Sequence, residues 1–112
     1  MEPFEVSEIA PGEYQLYLVA GTTDVEDAIA GLGHEPNGPF WEGVVELLIA
    51  LEAPALEGRF WSDSESDAYL ANGDDRDALD ELAVLLGAVA TDEDRLRQLV
   101  ELARTHGLEL RG

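Results

Sequence analysis

The sequence predicts an α+β fold in a single domain, with the order ββααββαα and antiparallel strand pairs packed against four helices. Three observations predict it. The first twenty residues hold two stretches that alternate apolar and polar side chains. Four later segments repeat apolar residues at helical spacing. The strands also come in adjacent pairs rather than singly between helices, which favours α+β over a doubly wound parallel sheet.

Taken in order, FEVSEIA (4–10) and EYQLYLVA (13–20) are the first strands, with Pro11-Gly12 as the turn between them. Thr23 followed by Glu26 reads as a capping box. Val25, Ala28, Ile29 and Leu32 fall at i, i+3, i+4 and i+7, and Gly33 is a stop, so a short helix is expected over 24–32. WEGVVELLIALE (41–52) is the next helix, apolar around most of its girth and therefore expected to be buried, and Pro54 ends it. GRFWSDSE (58–65) and DAYLANG (67–73) read as a second, shorter strand pair. Asp74 and Asp75 cap a helix whose Leu79, Leu82, Leu86 and Val89 share one face. Thr91 is expected to start the last helix, with Leu96, Leu99, Val100 and Ala103 inward and His106-Gly107 closing it.

Charge is the dominant compositional feature. There are 25 acids against six basic residues, all arginine, for a net charge of −19. A field of that sign repels nucleic acid and anionic membrane and steers a basic partner toward the surface. A solubility effect, a GC-rich coding sequence or salt adaptation would produce the same composition. With no cysteine in the chain, disulfides and thiolate zinc sites are excluded. The N-terminal MEPFEVSEIAPGEY holds four glutamates and no base, which argues against a signal peptide, and the longest apolar run, LAVLLGAVA, is too short for a membrane span. A cytoplasmic domain is expected.

Three places invite a chemical reading. The first is GLGHEPNGPFWEG (31–43), with four glycines, two prolines, a histidine and a tryptophan. His34 beside Glu35 suggests a base with its acid, but neighbouring loop residues rarely face one site, and no serine or cysteine stands in a nucleophile context. Asn37-Gly38 is a turn pair tolerant of positive φ. Trp41-Glu42 would open the helix with Glu42 near its positive end. The second place is Asp63, Glu65 and Asp67, which alternate and on an extended strand would share one face. As a calcium loop they fail: position six is Ala68 rather than glycine, and position twelve is Asp74 rather than glutamate. They leave an alternative open, an acidic metal- or ligand-binding regulatory domain. The third is the pair of aromatic doublets, Phe40-Trp41 and Phe60-Trp61. Each tryptophan is read foremost as a core side chain, with anchoring of a partner interface as the other reading.

These residues resemble a known family. GHEPNGPFWEG (33–43) is similar to the Gly-His-Glu-Gly-Asn-Gly-Tyr-x-Trp-Glu-Gly core of immunity protein 51, one of the families that guard bacteria against their own polymorphic toxins. DSESDAYLANG (63–73) resembles that family's Asp-x-Glu-Ala-Gly-x-Phe strand segment. The matching positions are Gly33, His34, Glu35, Asn37, Gly38, Trp41, Glu42 and Gly43, then Asp63, Glu65 and Tyr69. The departures are Pro36, Pro39 and Ser66-Asp67, and the prolines remove two N–H donors from the loop. The resemblance implies an α+β fold, no enzymatic activity, no cofactor, and a toxin domain as partner; the charge makes that toxin basic, of nuclease or deaminase type. On this reading Glu35, Asn37, Trp41, Glu42, Asp63, Glu65 and Asp67 form the partner-binding surface.

Overall fold

Two β-hairpins lie side by side in a computed structural model that describes residues 4–20 and 23–107. Strands β1 (Phe4–Ala10) and β2 (Glu13–Val19) form the first hairpin, and β3 (Trp61–Ser62) and β4 (Ala68–Gly73) the second. Between them run α1 (Glu26–Gly31), α2 (Gly38–Leu51) and a short 3-10 turn (Pro54–Leu56); α3 (Arg76–Ala90) and α4 (Glu93–Thr105) follow. The order is ββααββαα, as the periodicity predicts. The sheet runs β1-β2-β4-β3 and is antiparallel throughout, so β2 pairs with β4 at its centre.

The register explains which residues are buried. In β2, Leu16 and Leu18 are fully buried while Tyr17 and Val19 are exposed, the period of two that a sheet covered on one face requires. Leu16 faces Val6 on one side and Ala71 on the other, and Leu18 faces Tyr69. Onto this row pack Phe40, Trp41, Val44 and Leu48 of α2, and Leu79, Leu82 and Leu86 of α3, in one contiguous core. Helix α2 is buried along most of its length and touches β4, α3 and α4, which accounts for its near-continuous apolar sequence.

Local chemistry departs from the sequence reading at several ends. Gly12, at φ +77°, closes the first hairpin, where only glycine is unstrained. Thr23 does hydrogen-bond Glu26, but the residue at the cap position of α1 is Val25, two further along, so the pair ties down a turn rather than capping the helix. Thr91 ends α3, its Oγ1 donating to the Gly87 carbonyl at 2.7 Å. Asp92 caps α4 instead, accepting from the N–H groups of Asp94 and Arg95. A carboxylate in that place accepts two orphan donors and meets the positive helix end, which a threonine does less well. Strand β3 is two residues long rather than eight, although two further bonds, Asp63 N–H to Leu70 O and Glu65 N–H to Ala68 O, carry the hairpin to its turn at Ser66-Asp67. The aromatic doublets also part company. Phe40 and Trp41 are both fully buried in T-shaped contact, whereas Trp61 is 62% exposed, so the core reading fails for Trp61. Its strand lies at the sheet edge, where a side chain has a neighbouring strand on one side only.

Candidate functional site: an acidic corner

The turn at 65–68 and the start of α2 meet in a backbone-to-backbone contact. Helix α2 begins at Gly38, three residues before the start expected at Trp41, because Asn37 takes the cap position with its Oδ1 accepting from Phe40 N–H at 2.9 Å. Pro39 follows inside the first turn, where its missing N–H is not needed. Glu42 accordingly sits in the second turn rather than at the positive end, and the first turn contains no acid. Gly38 N–H donates to the Ser66 carbonyl at 3.3 Å, and a Cβ at Gly38 would fall well inside van der Waals contact with the carbonyl oxygens of Glu65 and Ala68. The glycine is there for space. Neither Asn37 nor Gly38 adopts positive φ, contrary to the expectation from the turn pair.

Side chains lock the same corner. Ser64 Oγ donates to Glu42 Oε1 at 2.6 Å, and Ser62 Oγ lies 2.7 Å from Tyr69 OH beneath it. Burial holds the Tyr69 phenol well above its ordinary pKa; the Ser62 bond opposes that shift, and the nearby charges of Glu42 and Glu46 add to it, so Tyr69 stays neutral. The His34 ring lies tilted against Phe40, centroids 5.5 Å apart, and among the described residues neither its buried Nδ1 nor the buried Trp41 Nε1 has a hydrogen-bond partner.

Of the residues expected to meet a partner, Glu35, Asp63, Glu65 and Asp67 are exposed, Asn37 and Glu42 are half-buried, and Trp41 is wholly inside. Asp63 and Glu65 precede the turn and Asp67 lies beyond its apex, so the three do not line one strand as their alternation suggested. Among the described residues no three carboxylates or histidines are grouped to hold a metal. The five described arginines form ion pairs elsewhere: Arg59 with Asp75, Arg76 with Asp80, Arg95 with Glu52, Arg97 with Asp94 and Arg104 with Glu101. None reaches Glu35, Asp63, Glu65 or Asp67. Trp61, exposed beside these acids in the same hairpin, was legible in the sequence only as one of two interchangeable aromatic doublets.

The cap predicts its own loss. Asn37→Ala should destabilise the fold by about 1 kcal/mol, lowering the melting temperature by about 4 °C, whereas Asn37→Asp keeps the acceptor and should melt like the parent. Thermal denaturation followed by circular dichroism checks both.

What the fold and the corner define is a two-layer α+β domain with its helices behind one sheet face and a braced, strongly acidic turn at one end. The family model described as Immunity protein 51 matches residues 4–105. The chain therefore belongs to the Immunity protein 51 family. No curated protein and no solved structure matches it. Among the described residues no helix is long and apolar enough to cross a membrane.

Proposed function

We propose that this chain neutralises a cognate polymorphic toxin in the bacterial cytoplasm, binding a basic toxin domain of nuclease or deaminase type and occluding its active site with the acidic surface, without catalysis of its own. The observation that carries this reading is the meeting of the two segments that resemble the family motif. Residues 33–43 and 63–73 lie far apart in the chain, yet Gly38 packs on the 65–68 turn and Ser64 bonds Glu42. Bracing of this kind orders the carboxylates before binding and lowers the entropic cost of docking. Glu35, Asp63, Glu65 and Asp67 supply charge at the surface. Asn37, Glu42 and the internal Trp41 support it from behind.

Charge and shape should separate kinetically. With a net charge of −19, association with a basic toxin should approach about 10⁸ M⁻¹s⁻¹ at low salt and slow steeply as salt rises. Glu35→Gln, or Asp63→Asn with Glu65→Gln, should accelerate dissociation by the equivalent of about 2 to 5 kcal/mol where those acids meet buried bases. Surface plasmon resonance against the cognate toxin domain measures both. Dissociation rates equal to the parent's in folded variants would show the corner to be a solvated face.

A further inference from the structure

The face of the sheet away from the helices exposes apolar side chains on β1, β2 and β3, although Ala68 and Leu70 in its middle are buried. Along β4, Tyr69 and Ala71 belong to the core, so Ala68, Leu70 and Asn72 point the other way. Their pairing partners on β2 are Val19, Tyr17 and Gln15. On the second hairpin Ser62 and Ser64 turn toward Tyr69 and Glu42 on the helix side, which leaves Trp61, Asp63 and Glu65 on the open side. Trp61 pairs across from Asn72, and Asn72 Oδ1 accepts from Gln15 Nε2 at 2.9 Å, which ties β2 to β4 on this face.

Six large apolar side chains are exposed among the described residues, and four of them, Ile9, Tyr17, Val19 and Trp61, belong to this sheet. Ile9 sits at an irregularity between Glu8 and Ala10 where the β1–β2 register shifts, a device that re-aims a side chain. It and Trp61 flank a hollow of about 190 Å³ floored by Asn72 and Gly73. Tyr14 and Glu13 also line that hollow, and Tyr17 is exposed further along the face; exposed aromatic side chains beside carboxylates are the composition of a protein-binding surface.

We infer that this sheet face is where the toxin docks, with the exposed Trp61 and Tyr17 as aromatic anchors and Asp63 and Glu65 receiving arginine or lysine side chains of the toxin. The inference rests on the toxin-binding reading above and assigns it a surface. Charge decides the occupant. A second copy would bring another −19 against the same carboxylates, whereas a guanidinium stacks on an exposed indole and pairs with a neighbouring acid at once. Nucleic acid and anionic lipid are repelled by the same field.

The experiment uses the full chain and a cognate toxin domain, identified first by sequencing the genes that flank this one. Trp61→Thr and Tyr17→Thr retain strand propensity at exposed positions and should melt within a few degrees of the parent. Each should weaken binding in calorimetry, Trp61→Thr by about thirtyfold or more, as a central aromatic anchor does. Val84→Ser and Leu102→Ser, at exposed apolar positions on α3 and α4, should bind as the parent does. With 5-fluorotryptophan in this chain alone, the ¹⁹F resonance of Trp61 should lose its solvent isotope shift in the complex, while that of buried Trp41 stays unchanged. Parent binding with no loss in Trp61→Thr and Tyr17→Thr would overturn the assignment of the face and leave the family reading standing. Self-association of the parent that Trp61→Thr abolishes would overturn it in favour of a homodimer. No binding by the parent would overturn the toxin reading itself.

Discussion

Trp41→Ala should cost about 3 to 5 kcal/mol of folding stability, a fall in melting temperature of roughly 10 to 20 °C. Trp41 is fully buried, stands in T-shaped contact with Phe40 at 5.4 Å, and belongs to the layer of α2 that faces the sheet. Truncation removes that apolar area and leaves a cavity behind the acidic corner, which α2 cannot close because its first turn is tied to the 65–68 turn. Trp41→Phe separates the contributions. It keeps most of the ring packing and deletes an indole N–H that has no acceptor among the described residues, a buried donor whose desolvation costs about 1 to 3 kcal/mol. It should therefore lose less than half of what alanine loses. Chemical denaturation of both variants tests this, and equal losses would show the indole itself to be indispensable. Because Trp41 does not reach the surface, any loss of toxin binding in the alanine variant should track its loss of folded protein.

Gly38→Ala should destabilise by about 3 kcal/mol, the upper end of overpacking costs, although propensity alone predicts the opposite sign. Alanine is the better helix former by about 1 kcal/mol, and Gly38 opens α2 without positive φ. Its Cβ would collide with two backbone carbonyls, those of Glu65 and Ala68, and backbone cannot rotate aside as a side chain does. Either α2 or the hairpin turn has to retreat, breaking Gly38 N–H to Ser66 O and Ser64 to Glu42 together. Gly31→Ala is the matched comparison. That glycine ends α1 in open space and has no positive φ, so alanine there should stabilise by about 0.4 to 1 kcal/mol. Opposite signs from two glycines seven positions apart would establish that space, and not conformational freedom, accounts for Gly38.

These contrasts mark how far the sequence can be read. The alternation in EYQLYLV is realised with Leu16 and Leu18 inward, and the spacing of Leu79, Leu82, Leu86 and Val89 marks the buried face of α3; all six are fully buried. Asp75 caps α3 as its position before the apolar repeat suggested. The cap of α2 was misplaced because Asn37-Gly38-Pro39 carries both turn and helix-start signals. Only the packing of Gly38 on the distant turn selects between them. Likewise nothing local distinguishes Phe40-Trp41 from Phe60-Trp61. One doublet lies on a helix packed from several sides, whereas the other straddles the start of a two-residue strand at the edge of the sheet.

By itself, then, the sequence determined the order of elements, the inward face of the amphipathic helices, the family motif and the excess of negative charge. Each of these is written in short-range periodicity, in turn and cap chemistry, or in composition. The tertiary structure alone decided that β2 pairs with β4, that the 65–68 turn seats on the first turn of α2, and that Trp61 stands exposed at the edge of the sheet. Those outcomes join residues separated by up to 59 positions, as between Tyr14 and Gly73. They depend on which sheet face α2 and α3 cover together, a choice made by burying one shared core rather than by any repeat within a segment.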